Sequence, residues 1–324
     1  MKLHKKPLRI ILAEESSFSQ EGIQALAELG KLDTTNLTQE ELVERIHNYD
    51  VLVLRLGLCA DKPLFMAGNR LKVIVTPTTG LDHIDLEVAE QKGVTVLSLK
   101  GERAFLDQVY STAEHAFGLL LALLRKIPSS FDAVKQYQWR RDLFRGRELD
   151  GKVLGLIGCG RLGTMMVRYA TAFGMDVLVY DPYQKQLPEM ITLCSSLYDL
   201  LSHSDVVSLH IPLNEETSGM LSRQEFEWMK SGSYLINTSR GAVIDEQALL
   251  DNLISGKLNG AALDVLCDEH LIGNNQGHPL IEYAKEHDNL IITPHIGGAA
   301  YESVHKADMF IIDKLKKWLL ENGF

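Results

Sequence analysis

The sequence predicts an α/β protein of two doubly wound parallel-sheet domains. Three observations carry that prediction. Short apolar runs alternate with helical stretches from Leu8 onward, and the alternation restarts at Gly151. The restart holds a glycine-rich turn, Gly158-Cys159-Gly160-Arg161-Leu162-Gly163, between a strand-like and a helix-like run. The length, 324 residues, suits about two domains of ordinary size.

In the first part, 8–13 reads as a strand and 19–29 as a helix closed by Gly30. A second helix is expected over 38–49, with Thr38 as N-cap and Glu41 completing a capping box. Strands follow at 51–54, 73–76 and 94–97, the last two separated by a helix over 85–92. This part lacks a glycine fingerprint, so it serves something other than a dinucleotide. A long apolar helix is expected over 106–126, stopped by Pro128 and lying between the domains. The segment 129–149 mixes Phe131, Tyr137, Trp139 and Phe144 with Arg140, Arg141, Arg145 and Arg147, and reads as an arm packing on a partner subunit. From Gly151, strands at 153–157, 177–180, 206–209, 234–236, 261–265 and 290–292 describe the second sheet. The last helix, 301–320, carries Val304, Phe310, Ile311, Leu315 and Leu319 near helical spacing, which lets the chain return to its first domain.

Each part of the glycine turn has a task. Gly158 allows a tight turn, Gly160 lets the backbone approach a pyrophosphate, and Gly163 lets helix and strand pack closely. The helix opening at Arg161 and Leu162 offers free N–H groups and a positive dipole end to phosphates. The next strand ends at Asp181-Pro182, about 20 residues on, where the fingerprint wants an acid. Asp181 can accept two hydrogen bonds from a ribose diol and would repel a 2′-phosphate, so the expected cofactor is NAD rather than NADP.

The bulk properties bound the partners. A formal charge of −10 argues against nucleic acid, the basic arm notwithstanding, and against an anionic membrane. Cys59, Cys159, Cys194 and Cys267 form no C-x-x-C pair and read as reduced thiols of a cytoplasmic protein. Lys2, Lys5 and Lys6 look like the start of a secretory signal, but the apolar run after them ends at Glu14-Glu15. The longest apolar run, 117–124, is far below a membrane span. No metal site is expected.

Ligands of such sheets bind beyond the carboxyl ends of the strands. Arg240, in Asn237-Thr238-Ser239-Arg240-Gly241, follows one strand; Asp264 ends the next, with Glu269 five residues later; His295, in Pro294-His295-Ile296-Gly297-Gly298, follows the last. An arginine can hold a carboxylate bidentately, and a histidine paired with an acid carries a proton near neutral pH. Hydride exchange between a carbonyl and a nicotinamide needs both roles beside the cofactor.

With these motifs in place, nearly the whole chain resembles the D-isomer-specific 2-hydroxyacid dehydrogenases, and within them the phosphoglycerate dehydrogenase branch. The resemblance implies a Rossmann NAD-binding domain (104–296) inserted in a flavodoxin-like substrate domain (1–103 and 297–324), and a homodimer built through the nucleotide domain. It implies Arg240 as the substrate arginine, His295 as acid/base, Glu269 as its partner and Asp264 near the nicotinamide carboxamide. It places His210, Pro212, Thr217, Thr112, Thr238, Gly297 and Gly298 along the cofactor, and the backbone of Thr79, Gly80 and Leu81 on the substrate carboxylate. Two departures stand out. His270 occupies a position where the family often has Pro, so Asp268 and His270 flank the acid, and the five-residue step from Asp264 favours Glu269. Thr76-Pro77 stands where the phosphoglycerate branch often carries an arginine, which argues against a phosphorylated substrate unless Arg55 or Arg103 supplies the charge. The chain stops soon after its last helix, so neither a C-terminal regulatory domain nor serine feedback is expected.

The expected activity is therefore NAD-dependent interconversion of a 2-oxo acid and a D-2-hydroxy acid. Hydroxypyruvate, glyoxylate, phosphohydroxypyruvate and larger sugar-derived acids suit the same core; specificity is assigned to loops near Arg55, 76–82 and 102–106. An NAD-sensing corepressor or scaffold of the same fold is the alternative, and it needs none of Arg240, Glu269 and His295. A methyl-transfer enzyme shares the glycine turn and leaves that set unexplained.

Overall fold

The computed structural model describes residues 8–184, 191–272 and 277–324. Lys2, Lys5 and Lys6 lie outside the described residues. The chain divides into two compact units, Met1–Val109 with Ala299–Phe324, and Tyr110–Gly298.

Strands β1 (Arg9–Leu12), β2 (Lys31–Thr34), β3 (Val51–Val53), β4 (Val73–Val75) and β5 (Thr95–Leu97) form the parallel sheet of the first unit, in the order β2-β1-β3-β4-β5. Successive strand residues point to opposite faces. Ile10, Leu12, Val51, Val53, Val73 and Val75 join one core with the helices Gln20–Ala27 and Tyr301–Glu321. Ile11, Leu52 and Ile74 join the other, with Gln39–Arg45, Lys62–Ala67 and Leu86–Gln91. Burial on both faces is why these strands read as unbroken apolar runs. β2 was not expected: it is an edge strand with no buried residue, and the sequence Lys-Leu-Asp-Thr carries no apolar run.

Local chemistry sets the helix starts. The Ser19 hydroxyl accepts from Gly22 N, and Thr38 and Glu41 form the expected capping box. That helix ends at Arg45, and a 3-10 turn, Ile46–Asn48, finishes the segment. The helix Tyr301–Glu321 is tied in by Asp308, which is fully buried. Its Oδ2 accepts from Ser19 N at 2.8 Å and from Ser19 Oγ at 2.9 Å, and its Oδ1 pairs with Arg55 Nη2 at 2.5 Å.

The second unit holds β6 (Val153–Ile157), β7 (Asp176–Tyr180), β8 (Thr192–Leu193), β9 (Val206–Leu209), β10 (Ser233–Asn237), β11 (Leu258–Leu263) and β12 (Leu290–Ile292). All pair in parallel, in the order β12-β11-β10-β9-β6-β7-β8. The order reverses between β6 and β9, which makes their carboxyl ends a switch point. The strand beyond the six expected is β8, two exposed residues at the edge, too short to leave a pattern. One face packs on the helices Ser111–Leu124 and Arg161–Ala172; the other packs on Leu197–His203, Arg223–Trp228, Glu246–Ile254 and Pro279–Glu286.

The long helix expected over 106–126 is not one element. A short helix, Arg103–Leu106, is followed by a break, and Ser111–Leu124 then buries Ala113, Ala116, Phe117, Leu120 and Leu123 in the core of the second unit. Lys126, with φ of 52°, separates it from Ile127–Lys135. Pro128 therefore opens a helix rather than stopping one. In a first turn its missing N–H costs nothing.

Candidate active site

Asp264, just past β11, is 2% exposed. Its Oδ1 accepts from Thr293 Oγ1 at 2.6 Å and Ile296 N at 2.9 Å, and its Oδ2 accepts from Gly297 N at 2.8 Å. His115 Nε2, on the helix Ser111–Leu124, lies 3.2 Å from Oδ1 and 2.9 Å from Thr293 Oγ1. Burial alone would push the carboxyl up, but these hydrogen bonds to the charged form outweigh it and hold Asp264 below the usual carboxylate value. The Asp264 carbonyl accepts from His295 N at 2.8 Å, so backbone and side chain of one residue fix the whole turn after β12.

That turn presents His295 with φ of 55°, the left-handed region that non-glycine residues seldom enter. Such backbone persists where its surroundings over-determine it, and it is often found at functional sites. Of the two acidic neighbours, Glu269 is the one that meets the ring: its Oε1 faces His295 Nδ1. The side chains are 24% and 36% exposed for His295 and Glu269. With Nδ1 engaged, Nε2 is the nitrogen left for a substrate.

Arg240 leaves β10 through a turn shaped by Asn237, which is fully buried. Asn237 Nδ2 donates to the Arg240 carbonyl at 2.9 Å, and its Oδ1 accepts from Ser239 N at 2.9 Å and Ser239 Oγ at 2.7 Å. Arg240 Nη1 donates to the Ser239 carbonyl at 2.7 Å. Strand ends thus supply a cation, an acid and an imidazole to one edge of the sheet.

The glycine turn sits at the switch point. Gly158 has φ of 88°, and a Cβ there would come within 2.6 Å of the His210 carbonyl oxygen, so β9 closes on this turn. A Cβ on Gly163 would run into the Gly158 carbonyl, whereas one on Gly160 would meet open space. The N-cap of the helix Arg161–Ala172 is Gly160, which brings no side chain to its first turn, the end of a helix that favours an anion. Asp181, after β7, is turned back toward the glycines: Oδ2 accepts from Cys159 N at 2.9 Å and Oδ1 from Tyr183 N at 3.0 Å. Each carboxylate oxygen retains capacity for a further donor. Thr238 Oγ1 and His210 Nδ1 are buried without a hydrogen-bond partner among the described residues. An open face over Gly160, a helix N-terminus and orphaned polar atoms fit a dinucleotide.

Other expected contacts are placed with more local duties. The Thr217 hydroxyl donates to the Pro212 carbonyl at 2.7 Å and accepts from Asn214 N at 2.9 Å, so it closes the 212–217 loop. A Cβ on Gly297 would come within 3.0 Å of Asp264 Oδ2 and 3.3 Å of Thr112 Cγ2, while Gly298 faces open space. In the first unit, Thr79, Gly80 and Leu81 follow β4, and their amides donate to nothing among the described residues. Arg55, expected to offer its charge to a substrate, pairs with Asp308 and lies over the Phe18 ring at 4.9 Å.

Residues 117–297, more than half of the chain, match the family model described as D-isomer specific 2-hydroxyacid dehydrogenase, NAD binding domain. The chain belongs to the D-isomer specific 2-hydroxyacid dehydrogenases. A hydroxypyruvate reductase of Thermotoga maritima is 35% identical over 305 residues, covering 93% of this chain and 95% of that protein. A D-3-phosphoglycerate dehydrogenase of Methanocaldococcus jannaschii is 37% identical over 304 residues, 93% of this chain and 56% of that protein. The chain spans about half the length of the phosphoglycerate dehydrogenases it matches. The crystal structure of a D-lactate dehydrogenase of Aquifex aeolicus, complexed with NAD and lactic acid, superposes with a TM-score of 0.80 at 32% identity, over 97% of this chain and 96% of that one.

Within this member of the family, His115, Thr293 and Asn237 were not singled out as site residues by sequence. Each is a polar residue in or beside an apolar run, a signal that a buried partner is waiting. One further residue has a measurable consequence. Burial pushes the His210 imidazole from its ordinary value of 6.5 down to about 4. The unfolded chain then binds that proton more readily between pH about 4 and 6.5, so stability falls as pH falls through this window. Urea unfolding of the wild type should show this loss between pH 7 and 5, and His210→Gln should flatten it. An unchanged slope in the variant would mean that His210 is not the group responsible.

Proposed function

We propose that the chain is an NAD-dependent oxidoreductase interconverting a 2-oxo acid and a D-2-hydroxy acid. The observation that carries the reading is the Glu269–His295 pair on the same sheet edge as Arg240. When bound, the nicotinamide supplies or accepts the hydride. Arg240 holds the substrate carboxylate and places positive charge where the carbonyl oxygen gains negative charge. His295 delivers a proton from Nε2 to that oxygen in reduction and takes it back in oxidation. Glu269 orients the ring through its contact with Nδ1. Asp264 holds the turn that carries His295, and Asp181 selects the unphosphorylated ribose of NAD. The corepressor reading leaves Arg240, Glu269 and His295 without a task.

The same proposal includes a homodimer and a cytoplasmic location. The arm supports the first: Tyr137 is 99% exposed and Trp139 86%, with Phe131 and Leu143 also exposed on the same segment. Large aromatic side chains in that state suit a partner's surface. Four free thiols support a reducing compartment.

Replacing His295 by Gln should lower turnover by about 100-fold or more, the scale of a lost general acid, with NADH affinity little changed. Steady-state kinetics alongside NADH binding would check this, and near-wild-type turnover would remove His295 from the role. Sedimentation of a Tyr137→Ser, Trp139→Glu variant should report a monomer where the wild type is a dimer. A dimer in both would exclude the arm as the interface.

A further inference from the structure

The connection that carries Arg240 also grips the loop that carries Glu269. After Arg240 comes the turn Gly241–Val243, then the helix Glu246–Ile254, capped by Asp245 accepting from Ala248 N. Glu246, its first residue, reaches out of the helix. Its Oε1 accepts the backbone N–H of Cys267 at 2.8 Å, and its Oε2 lies 3.2 Å from His278 Nε2. The Glu246 and His278 side chains are largely buried, and His278 Nδ1 has no hydrogen-bond partner among the described residues. The Cys267 thiol is pushed up to about 11, by burial first and then by Glu246, Asp268 and Asp245, so it stays a neutral group against this carboxylate.

The loop itself needs holding. Asp268 has φ of 50°, a left-handed conformation directly before Glu269. A Cβ on Gly241 would collide with the Leu266 and Cys267 backbone, so the two connections run in contact. Leu266 N reaches Glu269 Oε2 only at 3.4 Å, a weak restraint on the carboxylate. The charge-assisted bond from Cys267 N to Glu246 ties this turn to the neighbouring helix.

We propose that Glu246 is a positioning residue for the acid–base pair: it fixes the turn at 267–269, and through it the carboxylate facing Nδ1 of His295. This rests on the assignment of Glu269 and His295 made above. An acid in the first turn of a helix also favours the helix dipole, and that duty needs only the charge. Positioning needs the reach to Cys267 N as well, so the two duties separate experimentally.

The test is steady-state kinetics of the full chain with NADH and the 2-oxo acid it reduces fastest, read as kcat against KM and alongside direct NADH binding. Glu269→Gln should lower kcat by about 10-fold or more, because the proton-carrying ring loses the group that orients it. Glu246→Ala should lower kcat in the same way by at least about 3-fold, with KM and NADH affinity little changed, because the displaced turn no longer presents the Glu269 carboxylate to the ring. Glu246→Gln, which can still accept from Cys267 N, should restore wild-type kcat. Glu246→Asp keeps the charge and loses the reach, so it should behave like Glu246→Ala; it also serves should the alanine variant fail to fold. If Glu269→Gln leaves kcat in place, the acid–base assignment itself fails. If Glu269→Gln lowers kcat while Glu246→Ala or Glu246→Asp does not, that assignment stands and the role of Glu246 is overturned.

Discussion

The carboxylate of Asp264 accepts donors from the turn after β12 and is met by His115 from the helix Ser111–Leu124, while its own backbone carbonyl takes the N–H of His295. A charge at 2% exposure would be costly without such company. Hydrogen bonds to a charged group are worth about 1.5–3 kcal/mol each, and several together offset the loss of water. The left-handed backbone of His295 follows from this, because a turn bonded at 293, 295, 296 and 297 leaves the ring few alternative positions. The Glu269–His295 pair then needs only one further constraint, the position of the 266–269 loop.

A second constraint is close backbone approach. Gly158 against the His210 carbonyl, Gly163 against the Gly158 carbonyl and Gly241 against the Leu266–Cys267 backbone each mark a place where a methyl group does not fit. The first two build the glycine turn after β6, and the third brings the Arg240 connection against the Glu269 loop. Gly160, by contrast, faces open space, where the expected ligand would need the room. The glycines of one motif thus divide between packing and access.

Legibility in the sequence followed the range of the interaction. The glycine turn, Asp181, the Thr38–Glu41 capping box and most strands are written within a few residues, and the structure forms them where the pattern indicates. β2 and β8 escaped because exposed edge strands need no apolar run. The break between Leu106 and Ser111 escaped because apolar residues continue across it, and Pro128 misled because a proline both ends helices and begins them. Partnerships across the chain were hidden. The pairing of Arg55 with Asp308, 253 residues later, and the closing of the 212–217 loop by the Thr217 hydroxyl leave no local pattern to read. The residues proposed as the acid–base pair were legible as types at strand ends, but the meeting of Glu269, rather than Asp268, with His295 is a matter of loop geometry.

The reaction proposed for this sheet edge is hydride exchange between NADH and a 2-oxo acid. The most direct measurement is NADH oxidation followed by absorbance, with glyoxylate, pyruvate, hydroxypyruvate and phosphohydroxypyruvate in turn, each repeated with NADPH. Turnover of at least one acid is expected, faster with NADH, giving the D-2-hydroxy acid. Tight NADH binding without turnover of any acid would contradict it, and equal use of NADPH would contradict the part assigned to Asp181.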